Sequence, residues 1–160
     1  MRIDKTNYYL DIAETVSERS TCLRRQWGCI IVNNDQVISS GYNGSPRGYT
    51  NCNIKGECIR NKLNIPRGTK YELCYSVHSE QNAIINASRE QMIGSNLYLV
   101  GKDIETGEYV SNSQPCSLCK KMIINSGIKN VYIRDNKNNF RKIEVDSWLE
   151  TDDISGENGY

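Results

Sequence analysis

The sequence predicts a three-layer α/β/α domain in which helices cover both faces of a central mixed sheet of about five strands. Two observations support this prediction. Short apolar runs alternate with amphipathic segments in the order helix, two strands, helix, strand, helix, strand and a mixed end. The 160 residues are also enough for one domain with a buried core. We therefore predict a single domain over residues 1–150.

The first half of the chain contains one helix, one hairpin and one long irregular stretch. A helix is predicted over residues 4–20, where apolar side chains recur at helical spacing. Residues 28–32 form an apolar run suited to a buried strand, residues 33–35 have turn chemistry, and residues 36–42 follow as the second strand of a hairpin. Residues 43–77 show little periodicity, which indicates a functional loop or one that is tied down.

Two more helices and two more strands complete the predicted domain. They cover residues 77–90 (helix), 96–102 (strand), 116–126 (helix, with Gly127 as its C-cap) and 129–134 (strand). Residues 103–112 contain a turn and a candidate return strand, and residues 140–149 hold a last short strand or helix. Residues 151–160 are acidic and contain glycine, which predicts a flexible tail.

The composition disfavours several classes of function. The formal net charge is only +1, so no strong positive field favours a nucleic acid partner. No apolar run approaches the ~20 residues of a membrane span, and the first residues lack the apolar stretch of a signal peptide. We therefore expect a cytoplasmic protein that acts on a small molecule. In that compartment the seven cysteines are metal ligands or core residues in preference to disulfides.

Two short motifs carry the candidate chemistry. His78 and Glu80 lie two positions apart, and Cys116 and Cys119 lie three positions apart directly after Pro115. On a helix this cysteine spacing places both thiols on one face, and the N-terminal end of a helix favours thiolates. His78 is the sole histidine of the chain, so it must supply any imidazole ligand.

Two thiolates and one neutral imidazole would hold zinc with one open position, which is the composition of a catalytic site. Water in that position would have its pKa lowered toward ~7, so that hydroxide forms at neutral pH. Glu80 is the predicted proton shuttle, which takes the water proton and delivers it to the ring nitrogen and then to the departing ammonia. A C-x-x-C pair alone also fits a redox pair or half of a structural zinc site, but its conjunction with His78, Glu80 and Pro115 favours the catalytic site.

With these motifs the chain resembles the zinc-dependent cytidine deaminase superfamily, whose signature is H-x-E followed by P-C-x-x-C. Within it the chain is most similar to the deoxycytidylate (dCMP) deaminases, through residues 21–32 and through the Gly-Tyr-Asn-Gly sequence of residues 41–44. The resemblance extends over residues 5–135. It implies a cytidine deaminase-like fold and the hydrolytic conversion of dCMP to dUMP with release of ammonia.

The resemblance also implies roles for individual residues. Glu80 would be catalytic, and His78, Cys116 and Cys119 would bind the catalytic zinc. Four residues are assigned to the nucleotide: Asn43 to the sugar, the Ser79 backbone N–H to the pyrimidine carbonyl, Arg24 to the 5′-phosphate and Tyr132 to packing beside the nucleotide. A guanidinium suits a phosphate through bidentate hydrogen bonds. A solvated arginine and a core tyrosine are equally compatible with the sequence at the last two positions.

The chain departs from the family pattern in three places. Ser79 stands where alanine is usual, and Gln114 where serine is frequent. Residues 103–112 are an extra segment that many dCMP deaminases lack, and it is either a simple hairpin or a change to the mouth of the pocket.

Four further cysteines suggest a second metal site. Cys29 lies in the apolar strand and is most simply a small buried hydrophobe. The other four are Cys22, Cys52, Cys58 and Cys74, and some dCMP deaminases hold a structural zinc in this region. Four cysteines make a complete structural zinc set, which would pin residues 43–77. The alternative is four scattered free thiols.

Two other functions are also compatible with the sequence. One is deamination of a different cytosine or adenine nucleotide, including adenosine in transfer RNA, although RNA usually calls for a basic surface. The other is a non-catalytic nucleotide-binding relative, which the intact Glu80 and ligand set disfavour. The resemblance further implies a homo-oligomer and regulation by dCTP and dTTP.

Overall fold

The computed structural model describes residues 1–155 and contains a five-stranded sheet with the order β2-β1-β3-β4-β5. The strands are β1 (Arg25–Asn33), β2 (Gln36–Tyr42), β3 (Asn96–Asp103), β4 (Asn130–Arg134) and β5 (Phe140–Glu144). β1 pairs antiparallel with both β2 and β3, β3 and β4 are parallel, and β4 and β5 are antiparallel. The predicted mixed sheet and its first hairpin are therefore confirmed.

Helices cover both faces of this sheet, as predicted. They are α1 (Lys5–Ser17), α2 (Cys52–Lys55), α3 (Ile59–Lys62), α4 (Ser79–Ile85), α5 (Arg89–Met92), α6 (Ser117–Ser126) and α7 (Asp146–Glu150). α1 packs on one face, whereas α4, α6 and α7 contribute to the core on the other face. Within residues 1–155, no helix combines the length and the apolar character that a membrane crossing requires.

β1 lies between the hydrophobic cores on the two faces of the sheet and contributes side chains to both. Ile30 contacts the α1 core, which includes Leu10, while Ile31 contacts the core that includes Ala83 and Ile123. Successive side chains of a strand point to opposite faces, so a central strand buried on both sides is apolar at every position. This explains why residues 28–32 form a continuous apolar run without alternation.

Three predicted element boundaries are wrong. The helix predicted over residues 77–90 ends at Ile85, and Ser88 starts the separate helix α5 by accepting a hydrogen bond from the Gln91 backbone N–H at 3.2 Å. The helix predicted over residues 4–20 ends at Ser17. Residues 140–149 form both a strand and a helix, where one element was expected.

The extra segment at residues 103–112 packs on the α1 face of the sheet. Residues 104–112 contain no strand, and Tyr109 forms an isolated bridge with Lys102 near the end of β3. Tyr109 contacts the α1 core, and its burial together with the neighbouring Glu14 raises the pKa of the phenol to about 12. The expected return strand is therefore absent from the described residues.

The start of the predicted C-terminal tail is attached to the domain. Asp153 forms a 3.0 Å ion pair with Lys120, whose side chain is almost fully buried in α6, and Ile154 packs against the α4–α6 core. Residues 151–155 are thus not a free tail, because the buried ammonium needs a carboxylate partner. Residues 156–160 of the predicted tail lie outside the described residues.

Candidate zinc and nucleotide site

The imidazole of the site is placed by the start of α4. His78 is the N-cap residue of this helix, and its backbone N–H donates to the Gln81 side chain at 2.8 Å. Just before it, Val77 pairs with Gly44 through two backbone hydrogen bonds of 2.7 and 3.1 Å. A Cβ atom on Gly41 would lie 2.3 Å from the Ser79 carbonyl oxygen, so only glycine lets α4 approach β2 this closely. The Gly-Tyr-Asn-Gly stretch therefore positions the helix that carries His78.

The two thiols of the site are placed by the start of α6. Cys116 is the N-cap residue, and Cys119 lies one turn into the helix. The Nδ1 atom of His78 lies 3.5 Å from the Sγ atom of Cys116 and 3.3 Å from that of Cys119. In the described part of the chain, these are the residues whose donor atoms form a metal-binding group, all within 4.8 Å of one another. The structure thus brings together the three predicted ligands.

The three donor groups differ in their protonation. A hydrogen bond from Cys119, with help from His78, lowers the pKa of the Cys116 thiol to about 4. The neighbouring Cys116 thiolate and burial raise the pKa of Cys119 well above its ordinary value. Burial opposes protonation of His78, but Cys116 and Glu80 together raise the pKa of the imidazole. One nitrogen and two sulfur donors, one of them already a thiolate, suit zinc with a further position left open.

Glu80 lies beside this group on the first turn of α4. Its side chain is 6% exposed and faces the same cavity as His78 and Cys116. The Ser79 hydroxyl donates a 2.7 Å hydrogen bond to its Oε1 atom. A carboxylate at this place can move a proton between a bound water and a molecule in the cavity.

A cavity of about 130 Å³ opens directly onto the three donor groups and Glu80. It is also lined by residues Arg24, Asn43, Ser79 and Gln114, so three of the four residues assigned to the nucleotide meet here. Both polar atoms of the Asn43 amide bond the backbone of β1, because Oδ1 accepts from Trp27 and Nδ2 donates to the Arg25 carbonyl. Asn43 therefore also fixes the strand that forms one wall of the cavity.

Tyr132 is the exception. It stacks on Tyr98 with ring centroids 4.8 Å apart and packs against the α1 core, on the face of the sheet opposite the cavity. The predicted position beside the nucleotide is wrong, and Tyr132 instead packs, half-buried, against the α1 core. Residues 103–112 do not line the cavity either. Ser113, directly after this segment, is a lining residue.

Sequence reasoning missed several residues of the cavity wall, among them Arg60 and Tyr71. Arg60 is 7% exposed, and its guanidinium donates to the backbone carbonyls of Pro66, Thr69 and Lys70. Tyr71 places its ring edge-on to His78, at a centroid distance of 5.2 Å. A loop without periodicity gave no signal for either contact, because both depend on how residues 60–71 fold back on themselves. Arg67 from the same loop also lines the cavity and adds to its positive charge.

The four remaining cysteines surround a second, smaller cavity of about 20 Å³. These residues are Cys22, Cys52, Cys58 and Cys74. Backbone N–H groups two positions further along donate to two of the sulfur atoms, from Arg24 to Cys22 at 3.3 Å and from Ser76 to Cys74 at 3.4 Å. Among the described residues, no three of these sulfur atoms form a metal-binding group within 4.8 Å.

Zinc affinity of the His78 site is expected to rise with pH. His78 must be neutral and Cys119 a thiolate to bind zinc, and both have a pKa above the ordinary value, so protons compete with the metal. Cys116, with a pKa of about 4, contributes no competing proton near neutral pH. Chelator competition between about pH 6 and 8 should show tighter binding at each step, and calorimetry in two buffers should show proton release. A pH-independent affinity would contradict these protonation states.

Comparisons with known proteins agree with this site. The family described as the cytidine and deoxycytidylate deaminase zinc-binding region matches residues 3–134. The chain is 36% identical over 125 residues to a deoxycytidylate deaminase of Schizosaccharomyces pombe, covering 78% of this chain and 35% of that protein. It is 33% identical over 135 residues to a deoxycytidylate deaminase of Mycobacterium phage D29, covering 81% of this chain and 94% of that protein. The chain therefore spans about a third of the yeast relative and nearly all of the phage relative.

The fold also matches a solved structure. The dCMP deaminase of cyanophage S-TIM5, in complex with dCMP and dUMP, superposes with a TM-score of 0.59 and 29% identity, covering 85% of each chain. The zinc-binding region of the family and the His/Cys/Cys group together indicate zinc as the metal.

Proposed function

Because the chain belongs to the cytidine and deoxycytidylate deaminase family, we propose that it hydrolyses dCMP to dUMP and releases ammonia. The observation that supports this most directly is one cavity that brings Glu80 and the three donor groups together with arginine side chains. The cyanophage structure was solved with dCMP and dUMP, which supports the same substrate for this chain.

His78, Cys116 and Cys119 are the proposed zinc ligands. Zinc bound there would supply a Lewis acid that makes hydroxide available at neutral pH. Glu80 takes a proton from the attacking water and gives it to the ring nitrogen of the pyrimidine as the oxygen adds to C4. It then takes the proton of the added hydroxyl and gives it to the amino group, which leaves as ammonia when the C4–N bond breaks. Burial of Glu80 in the cavity wall keeps bulk water from competing for that proton.

The rest of the cavity orients the nucleotide. The Ser79 backbone N–H lies in the first turn of α4, where N–H groups have no partner within the helix, so it is available to the pyrimidine carbonyl. Asn43 is the proposed sugar ligand. Beyond its two bonds to β1, its amide retains one N–H donor and one lone pair on Oδ1. Arg24 is the proposed 5′-phosphate ligand, and Arg67 adds positive charge to the same cavity.

The four-cysteine cluster around the second cavity is proposed to hold a structural zinc. Backbone N–H groups donate to the sulfur atoms of Cys22 and Cys74, and the cluster joins the segment after α1 to the irregular loop. Regulation by dCTP and dTTP and a homo-oligomeric state remain predictions from the family resemblance. A cytoplasmic location remains a prediction from the composition of the sequence.

A panel of substrates tests the proposed reaction. Ammonia release from the purified zinc protein is expected to be fastest with dCMP. It is expected to be at least about tenfold slower with deoxycytidine, dCTP and a transfer-RNA hairpin, in which the 5′-phosphate contact is lost or displaced, and CMP tests discrimination against a 2′-hydroxyl. Arg24→Ala should raise KM for dCMP and leave KM for deoxycytidine unchanged. Arg19→Ala, an exposed arginine that does not line the cavity, is the control for lost positive charge. Fastest turnover of a substrate without a 5′-phosphate would contradict the proposal.

A further inference from the structure

The hydroxyl of Ser79 is buried beside the proposed proton shuttle. Ser79 is 0% exposed, and its Oγ atom donates to the Oε1 atom of Glu80 at 2.7 Å. A hydrogen bond to an ionised group is about twice as strong as one between neutral groups, and burial strengthens it further. An alanine at this position would have no side-chain donor to Glu80.

The orientation of the Glu80 carboxylate depends on its hydrogen-bond partners, which include Cys119 as well as Ser79. Its side chain has three rotatable bonds, so the carboxylate can adopt more than one orientation. A proton shuttle works only in the arrangement that reaches both the water and the substrate nitrogen. Ser79 holds the Oε1 atom while the Glu80 side chain lines the cavity.

We infer that Ser79 is a positioning residue, whose side-chain hydroxyl holds the Glu80 carboxylate in the orientation that transfers protons. This inference rests on the proposed deaminase function. It is separate from the role of the Ser79 backbone N–H, which alanine would provide equally well.

Ser79→Ala tests the inference because it removes only the hydroxyl. The kcat for dCMP is expected to fall about tenfold, the low end for losing a hydrogen bond to a charged group, with KM changed less than about twofold. Zinc content should stay equal to that of the wild type. A crystal structure of the zinc-loaded variant should show the Glu80 carboxylate rotated or in several rotamers.

Ser39→Ala is the matched control. Ser39 is also buried, and its hydroxyl donates to the Ala83 carbonyl of the same helix, but it does not line the cavity. This variant should lose thermal stability comparably and keep kcat within about twofold of the wild type.

The outcomes separate the inference from the proposed function. If the wild-type protein deaminates dCMP and Ser79→Ala matches it in kcat and in Glu80 position, the inference is overturned while the function stands. If the wild type has no deaminase activity, the proposed function fails, and the crystal structures still report whether Ser79 orients Glu80. A zinc-loaded wild-type structure without the Oγ–Oε1 contact would overturn the inference without any variant.

Discussion

Glu80→Gln is expected to retain zinc and to lose at least about 10³-fold of the kcat for dCMP. The amide has nearly the same shape as the carboxylate, so the buried first turn of α4 should fold unchanged. It cannot accept and return a proton, however, and this is the step that the proposed reaction assigns to Glu80. Ammonia release and zinc content, measured on the same preparation, provide the test.

The control is Glu90→Gln, which changes an exposed carboxylate on the neighbouring helix α5. This variant should keep the wild-type kcat, because Glu90 does not line the cavity. Retention of more than about a tenth of the activity by Glu80→Gln would remove Glu80 from the mechanism. Loss of zinc in Glu80→Gln would instead assign it to the metal ligands.

The site was more predictable from sequence than the rest of the chain, because its determinants are local. The spacing of Cys116 and Cys119 places both thiols at one helix end, and a sole histidine leaves no choice of imidazole. The proximity of His78 to that helix end was predicted from the motifs and the family resemblance, since the pattern of helices and strands alone did not say which helices share a face of the sheet. In the structure, His78 is the N-cap residue of α4 and Cys116 is the N-cap residue of α6.

Tyr132 shows where local reasoning stops. Strand periodicity separates the side chains of β4 into two faces but does not say which face carries the nucleotide cavity. That choice depends on where α1 and α4 pack, which is set by contacts distant in sequence. Arg60 illustrates the same limit, because its buried guanidinium is satisfied by three carbonyls of a loop without any periodic pattern.

The element boundaries failed for a related reason. The apolar stripe of residues 77–90 predicted one continuous helix. At the observed end of α4, however, the Asn86 side chain donates to the Ser40 carbonyl of β2. The predicted tail contains the partner of buried Lys120, a pairing across more than 30 residues. Neither interaction leaves a trace in local composition.

Loss of zinc from the four-cysteine cluster is expected to lower the stability of the fold. The wild-type protein should contain two zinc ions per chain, and a Cys52→Ser/Cys58→Ser double variant should contain one. Loss of a structural zinc removes several kcal/mol of folding free energy, so the melting temperature should fall by at least about 10 °C. The remaining zinc should sit at His78 and support residual deamination of dCMP.

Cys116→Ser provides the converse variant. It should also retain one zinc, held by the four-cysteine cluster, and lose dCMP deamination while the melting temperature changes less than in the double variant. The two variants thus lose different properties with the same metal count, which a general loss of folding cannot mimic. The four sulfur atoms are spaced more widely than the donor atoms of the His78 group. We therefore also predict that the four cysteines move closer together when zinc binds. One zinc per wild-type chain, with Cys22, Cys52, Cys58 and Cys74 all reactive toward a thiol reagent in the folded protein, would contradict it.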